Sequence, residues 1–271
     1  MNNIINSNYK LNKFSEEKKS SFLSAEPFPH IQIDNFFDNS YLDEISNSFA
    51  EFSMNSYNHN SNQITEKKLA INSPEKIPSK INSFIEYLNS YSFLNFLQNL
   101  TGIKEKLIPD PYLFGGGLHE IRRGGFLKIH SDFNIHPQLS LNRRVNLLLY
   151  LNKDWKIDWG GQLELWDREM KLCKVKILPI FNKMVIFRTT DYSYHGHPDP
   201  LTCPDNISRR SIAMYYYTNG RPKEEVDPKN GESAQTTLFR ERYDSKDNFI
   251  LERIKFKKMF GSFYFRKKER D

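Results

Sequence analysis

The chain has 271 residues, of which 38% are hydrophobic, and this is enough to bury a substantial core in one large β-rich domain with additions. Its formal charge of +6 raises nucleic acid as a partner. No apolar run approaches the roughly 18 residues that a membrane span needs. The polar N-terminus has no secretory h-region and there are only two cysteines, so we expect a reduced, cytoplasmic protein.

Much of the positive charge lies in the last 21 residues, where basic and aromatic side chains are interleaved. A patch of this composition could stack bases, so nucleic acid stays open as a partner. The favoured interpretation is an amphipathic terminal segment, docked by its aromatic rings with its cations in water. The basic residues concerned are Arg253, Lys255, Lys257, Lys258, Arg266, Lys267, Lys268 and Arg270.

The first hundred residues predict a lead-in and then a set of supporting elements. Residues 1–25 are rich in Asn, Ser and Lys and predict a flexible segment. Between residues 26 and 106, alternation around Ile31 predicts a strand that precedes a helix over 41–49. The polar stretch 53–68 predicts an exposed loop, and apolar residues spaced by three and four predict one helix over 79–100. Gly102 follows as a C-cap.

From Pro109 onward the pattern changes to short β-type segments separated by turn residues. This pattern predicts an α+β, mainly β fold whose core, over 107–220, is a double-stranded β-helix or jelly roll supported by the N-terminal helices. Residues 221–271 are expected to leave the sheet as a basic, aromatic extension. The predicted strands are 112–113, 118–122, 126–133, 145–151, 162–166, 175–178, 184–187, 193–195 and 211–218.

His130 and Asp132 are the leading candidates for a metal site, because alternate residues of a strand project from the same face. Two histidines and one carboxylate with open coordination positions are the usual holder of non-haem Fe(II). The third ligand has to come from another strand, and His195 is favoured over His197. A second His-X-Asp, at His197, is disfavoured because its prolines are incompatible with a hydrogen-bonded strand.

Arg209 precedes an apolar strand, and an unpaired buried guanidinium costs several kcal/mol. A dicarboxylate co-substrate would supply the missing partner, gripped by the planar fork of the arginine and by a hydroxyl such as Ser211 or Tyr150. The alternative is a surface arginine at a strand end, a role to which Arg210 is well suited.

Five ordered segments together resemble the prolyl 4-hydroxylase-type Fe(II)/2-oxoglutarate dioxygenases. They are Gly124–Phe133, Leu149–Trp155, Gly160–Leu163, Ser193–Gly196 and Arg209–Ser211, within a resemblance that covers roughly 112–219. The step of 14 residues from His195 to Arg209 is longer than is usual for this type, and its insert is expected to be a surface loop.

The resemblance implies iron held by His130, Asp132 and His195, with 2-oxoglutarate and O2 as co-substrates and ascorbate as a further candidate cofactor. Arg209 matches the position that binds the distal carboxylate of 2-oxoglutarate, and Tyr150 a tyrosine that hydrogen-bonds the same group. Leu163 would wall the co-substrate pocket, and Ser211 is kept as a further contact. Activity is expected to fall below about pH 6, as ligand histidines of ordinary pKa protonate.

The expected reaction is oxidative decarboxylation of 2-oxoglutarate to succinate and CO2, coupled to hydroxylation of a prolyl residue in a peptide or of a related small molecule. His119, Phe133, Asn134 and His136 are near enough in sequence to line the pocket mouth, without assigned roles. Two alternatives stay open: a zinc hydrolase using the same ligands with a nearby carboxylate as base, and a metal- or nucleic-acid-binding module without turnover. The sequence indicates no oligomeric state.

Overall fold

The computed structural model describes residues 4–50, 57, 59–226 and 236–242. Within these ranges the helices are α1 (Leu11–Leu23), α2 (Asn39–Ala50), α3 (Ser79–Leu88) and α4 (Tyr91–Thr101). The strands are β1 (His30–Asp34), β2 (His59–Asn62), β3 (Glu66–Ile71), β4 (Ile108–Pro109), β5 (Gly117–Arg122), β6 (Phe126–Ser131), β7 (Asn142–Tyr150), β8 (Leu163–Trp166), β9 (Cys173–Ile177), β10 (Lys183–Arg188), β11 (His195–His197), β12 (Ser208–Thr218) and β13 (Leu238–Phe239).

The strands form two layers of a nearly closed jelly roll. One layer has the order β1-β10-β7-β12-β5 and the other the order β6-β11-β8-β9, and the pairings are antiparallel. Strand β3 joins the layers because it pairs with both β5 and β6. The predicted fold class is therefore confirmed.

Alternation along the central strands divides the interior into two parts. Leu147 and Leu149 of β7 face the four helices in the large apolar core, together with Met214 of β12. Asn146 and Leu148, from the alternate positions of β7, line a cavity between the two layers. One face of the helix-covered sheet therefore stabilises the fold, and the opposite face is available for a site.

The predicted strands between 118 and 218 fall on observed strands with shifts of a few residues at their ends. The strand predicted at 112–113 is wrong, because these residues lie in a turn after β4. Amides of Tyr112 and Phe114 donate to the Asp110 carboxylate at 2.9 and 2.8 Å, and Leu113 has a positive φ of 53°. A side-chain acceptor of this kind stabilises a turn in place of a strand.

The predicted exposed loop over 53–68 is also wrong where it is described, because β2 and the first half of β3 form a hairpin. The single helix predicted over 79–100 is two helices. Ser90 caps α4 by accepting from the amide of Phe93 at 3.4 Å, and a cap residue at this point starts a new helix. Gly102, with φ of 65°, ends α4 as predicted.

The flexible lead-in predicted for residues 1–25 contains helix α1, which packs against α4. Phe22 is fully buried and Phe14 contacts Phe96 at a centroid distance of 6.3 Å, so this segment belongs to the core. The remaining limits of the predicted division, near residues 106 and 220, stay a prediction. The two parts share one sheet, because β1 and β3 belong to it.

The predicted extension over 221–271 returns to the sheet at β13, which pairs with β6, so the expectation that the chain leaves the sheet is wrong for these residues. A two-residue strand gives no periodic signal in the sequence. The basic residues between 253 and 270 lie outside the described residues. None of the helices in the described part of the chain has the length and apolar character needed to cross a membrane.

Candidate metal and co-substrate site

Three side chains from two neighbouring strands converge at one end of the cavity. His130 lies on β6, Asp132 directly after it, and His195 begins β11, which pairs His195 with His130. Nε2 of each imidazole is 3.5 Å from an oxygen of Asp132, and the two ring centroids are 4.5 Å apart. One candidate ligand atom from each residue lies within 4.8 Å of the others, as a single metal ion requires.

Local hydrogen bonds orient both imidazoles. Nδ1 of His130 lies 2.8 Å from the carbonyl oxygen of Lys128, and Nδ1 of His195 lies 2.8 Å from that of Ser193. A carbonyl oxygen only accepts, so each Nδ1 carries the hydrogen and each Nε2 presents its lone pair to Asp132. Two lone pairs and a carboxylate facing one another call for a cation between them, and the donor set fits Fe(II).

Asp132 is oriented by two residues of β7. Its Oδ2 accepts from Arg143 Nη2 at 3.0 Å and from Asn146 Nδ2 at 2.7 Å, which leaves Oδ1 directed to His130. Burial alone would raise the pKa of Asp132, but the charge of Arg143 and the two imidazoles hold it well below its usual range. The carboxylate is therefore ionised and can serve as a ligand.

Burial lowers the pKa of His195 to about 4, against an ordinary value of 6.5, and the opposing attraction of Asp132 is smaller. Burial likewise lowers the pKa of His197 well below its usual range, followed by the positive charges of Arg209 and Lys68. Both rings are therefore neutral near pH 7, and neutral imidazole is the form that ligates metal.

Arg209 is buried on β12 and points into the same cavity. Its Nε donates to the carbonyl oxygen of Gly161 at 2.8 Å and its Nη2 to the hydroxyl oxygen of Tyr150 at 3.2 Å. Among the described residues it forms no ion pair with a carboxylate within 4 Å. A buried guanidinium with neutral partners fits an acidic ligand.

Glycine is needed at position 161 for this approach. Gly161 has φ of 73°, and a Cβ there would lie 2.7 Å from Leu201 and 3.0 Å from Cδ of Arg209. The paired glycines before β8 therefore let the arginine side chain pass close to the backbone.

The cavity has a volume of about 330 Å³ and connects the three candidate metal ligands, His130, Asp132 and His195, with Arg209. Leu163 and Ser211, two of the predicted co-substrate contacts, line it, and Tyr150 reaches it through its bond to Arg209. His119 and Phe133 also line it, whereas Asn134 and His136 do not. The assignment of ligand-binding roles to these residues stays a prediction.

The alternatives left open by the sequence differ in position. His197 lines the cavity but is outside the metal-binding group, and Asp199 of the second His-X-Asp forms a bidentate ion pair with Arg242 at 2.8 and 3.1 Å. The guanidinium of Arg210 lies over the ring of Phe49 on the opposite face of the sheet. The structure therefore groups His195, and not His197, with His130 and Asp132. It places Arg209, and not Arg210, in the wall of the cavity.

Sequence reasoning missed the supports of Asp132 and two walls of the cavity. Asn146 carried a usable signal, since it is a polar residue among the apolar residues of the strand predicted over 145–151, whereas Arg143 precedes that strand. Lys68 comes from the hairpin that was expected to be a loop, and Phe239 from the terminal extension. No periodic pattern in the sequence marks the last two.

Comparison with known proteins is consistent with this geometry. The sequence profile described as the 2OG-Fe(II) oxygenase superfamily matches residues 116–217, which include the three candidate metal ligands and Arg209. Residues 116–217 form a 2OG-Fe(II) oxygenase domain. The Fe(II)/2-oxoglutarate dioxygenase domain predicted from the motifs is therefore confirmed for these residues.

The similarity of this chain to individual proteins is more limited. Prolyl 3-hydroxylase OGFOD1 of Mus musculus is 34% identical over 79 residues, which are 28% of this chain and only 14% of that protein. A Trichoplax adhaerens prolyl hydroxylase solved with a hypoxia inducible factor peptide fragment has a TM-score of 0.55 at 21% identity, covering 77% of this chain and 90% of its own.

A Pseudomonas putida prolyl-4-hydroxylase has a TM-score of 0.52 at 14% identity, covering 76% of this chain and 100% of its own. At these identities the two structures establish the fold of the oxygenase domain.

Proposed function

We propose that the protein is an Fe(II)- and 2-oxoglutarate-dependent dioxygenase that hydroxylates a prolyl residue of a peptide or a related small molecule. The observation that carries this proposal is one cavity with the two histidines and one carboxylate at one end and Arg209 at the other. A zinc hydrolase would use the first group but has no need of the second.

His130, Asp132 and His195 would hold the iron, and Arg209 with Tyr150 would bind the distal carboxylate of 2-oxoglutarate. The iron and co-substrate supply the oxidising chemistry, with succinate and CO2 as co-products. Leu163 covers the co-substrate with an apolar wall, and Ser211 offers a hydroxyl. The chain's own contribution is to orient these groups and to exclude water from them.

Aromatic rings and one unpaired donor support a prolyl substrate. Phe133, Tyr215 and Phe239 line the cavity and offer flat surfaces to a pyrrolidine ring. Nη1 of Arg143 is buried and has no hydrogen-bond partner among the described residues, so it is available to a peptide carbonyl oxygen. Two relatives named as prolyl hydroxylases, one of them solved with a peptide fragment, support the same substrate class.

The test is succinate formation from 2-oxoglutarate after anaerobic loading with Fe(II) and exposure to O2, with and without proline-containing peptides. His130→Ala should reduce turnover by roughly 1,000-fold, because it removes a metal ligand. His30→Ala is the matched control, since His30 lies on β1 outside the cavity and bonds only the Phe28 carbonyl oxygen among its described contacts. Absence of succinate from the wild type with every peptide would refute the proposal.

The other candidate activities have separate readouts. Hydrolysis by the zinc-loaded protein without 2-oxoglutarate would favour the hydrolase, for which Glu66 on the cavity wall is the available base. Adding ascorbate should raise the number of turnovers if it acts as a reductant. Cytoplasmic location and nucleic-acid binding through the terminal basic residues stay predictions.

A further inference from the structure

His197 is a buried imidazole that the fold itself does not use. It ends β11, is 3% exposed and lines the cavity. Neither Nδ1 nor Nε2 has a hydrogen-bond partner among the described residues. A buried polar group without a partner costs about 1–3 kcal/mol, so a side chain placed in this way points to a ligand.

The surroundings of His197 favour an acidic ligand. Arg209 and Lys68, both on the walls of the same cavity, are close enough to act on its charge. Glu66, another residue of the cavity wall, is paired with Lys68 at 3.4 Å, and Asp199, two residues after His197, is paired with Arg242. The ring therefore lies in the cationic part of the cavity, beside the arginine that has only neutral partners.

We propose that His197 is a further co-substrate-binding residue, whose ring N–H donates to the distal carboxylate of 2-oxoglutarate beside Arg209. This inference rests on the proposed function. Neutral imidazole has one N–H donor, and the Tyr150 hydroxyl accepts from Arg209 while keeping its own hydrogen to donate. The distal carboxylate then accepts hydrogen bonds from one charged donor, Arg209, and from two neutral donors, His197 and Tyr150.

A second metal ion is a poorer explanation for His197. Among the described residues, the side chains able to hold a metal form a single group, and His197 is not part of it. Its positively charged neighbours would also repel a cation. The same charges attract a carboxylate.

The test measures ligand affinity by calorimetry on the Mn(II)-loaded protein, in which no turnover occurs. The two ligands are 2-oxoglutarate and 2-oxobutyrate, which keeps the keto acid but lacks the distal carboxylate. In His197→Val, the Kd for 2-oxoglutarate should rise about 10-fold or more, because a hydrogen bond to a charged group is lost. The Kd for 2-oxobutyrate should change less than about 2-fold, since His197 does not contact it.

Two conservative variants separate loss of the donor from loss of packing. Asn carries an amide near the position of Nδ1 and Gln near that of Nε2, so either His197→Asn or His197→Gln should stay within about 3-fold of the wild type. The thermal midpoint and the Mn(II) affinity of each variant show whether the fold and metal site are intact.

The outcomes distinguish this inference from the function on which it rests. If the wild type binds 2-oxoglutarate and His197→Val binds it equally well, the inference is wrong and the proposed function stands. Equal weakening of both ligands would also overturn it, because His197 would then act on the shape of the site. No binding of 2-oxoglutarate to the loaded wild type would overturn both.

Discussion

Each candidate ligand histidine is oriented by the carbonyl group two residues before it, Lys128 for His130 and Ser193 for His195. The direction of each Nε2 is thus a property of its own segment. Asp132 differs, because its orientation depends on a second strand through Arg143 and Asn146. The carboxylate is consequently the ligand most sensitive to substitutions elsewhere.

Asn146→Ala should weaken metal binding about 10–100-fold without removing a ligand, because it deletes the 2.7 Å hydrogen bond to Asp132 Oδ2. Mn(II) titration of the metal-free protein measures the change. Asn152→Ala is the matched control, since Asn152 is also buried but donates to the Pro179 carbonyl oxygen, away from the site. The control should lose stability and keep its metal affinity. Equal metal affinity in both variants would contradict a role for Asn146 in orienting Asp132.

The pH dependence of the site should follow the burial of His195. With its pKa lowered to about 4 from an ordinary 6.5, folded His195 stays neutral where the unfolded chain binds a proton. Stability therefore falls as pH drops from about 6.5 to about 4, by on the order of 3 kcal/mol for this group.

The same shift lets the metal-free site keep an unprotonated His195 near pH 5. Protonation of His195 therefore does not set the activity limit that the sequence predicted near pH 6. NMR titration of the metal-free protein, with His195 assigned from the spectrum of His195→Gln, should give a midpoint near 4. A midpoint near 6.5 would mean that solvent reaches the ring.

Sequence spacing alone could place the ligands but not their supports. His130 and Asp132 are two residues apart, so strand periodicity brings them together. Asn146 reaches Asp132 only because β7 lies across the cavity from β6, a tertiary arrangement that no local pattern encodes. His197 has no hydrogen-bond partner among the described residues because the tertiary structure buries it, and no local pattern encodes this burial either.

The position of strand β13 depends on contacts that substitutions can test. It pairs with β6 at His130, and its Phe239 ring lies 5.4 Å from that imidazole. Arg242 follows β13 and forms the bidentate ion pair with Asp199, in the segment after His195. The ion pair therefore ties β13 to the segment that follows His195, and strand pairing ties it to the segment of His130.

Arg242→Met should therefore loosen β13, and hydrogen exchange of residues 236–242 should become roughly 10-fold faster. Arg240→Met is the control, because Arg240 is exposed and lies over the ring of Tyr194 without a carboxylate partner in the ion pairs of the described residues. Exchange of opposite charges, Asp199→Arg with Arg242→Asp, should recover part of the protection. No difference between Arg242→Met and Arg240→Met would exclude the ion pair as the anchor.

Elements with strong periodicity were predictable and those held by tertiary contacts were not. Strand β7 was predictable as a short apolar run, although only the structure shows that its alternate residues face the helical core and the cavity. The hairpin β2–β3 is polar, because one of its faces borders the cavity. It is held in place by the pairing of β3 with β5 and β6 rather than by burial of apolar side chains. Helix α1 buries few residues, so its apolar stripe was too narrow to identify.

At the level of the whole molecule, the candidate site spans the two layers of the jelly roll. The candidate metal ligands lie on or directly after β6 and β11 in one layer, and Arg209 lies on β12 in the other. Metal binding should therefore stabilise one layer locally, whereas 2-oxoglutarate bound between iron and Arg209 would link both layers. The metal should stabilise the fold by itself, and 2-oxoglutarate should add stability only after the metal has bound.

Thermal unfolding tests this order. Mn(II) at about 100 times its Kd should add about 2.7 kcal/mol, which corresponds to a rise in Tm of about 5–10 °C for a chain of this size. 2-Oxoglutarate should raise Tm further only when the metal is present, since one end of it binds the ion. Arg209→Met should keep the shift caused by the metal and lose the second one, whereas His130→Ala should lose both. If 2-oxoglutarate raised Tm equally in the metal-free protein, Arg209 and its neighbours would bind the dicarboxylate without the metal. The two layers would then not be joined through the metal.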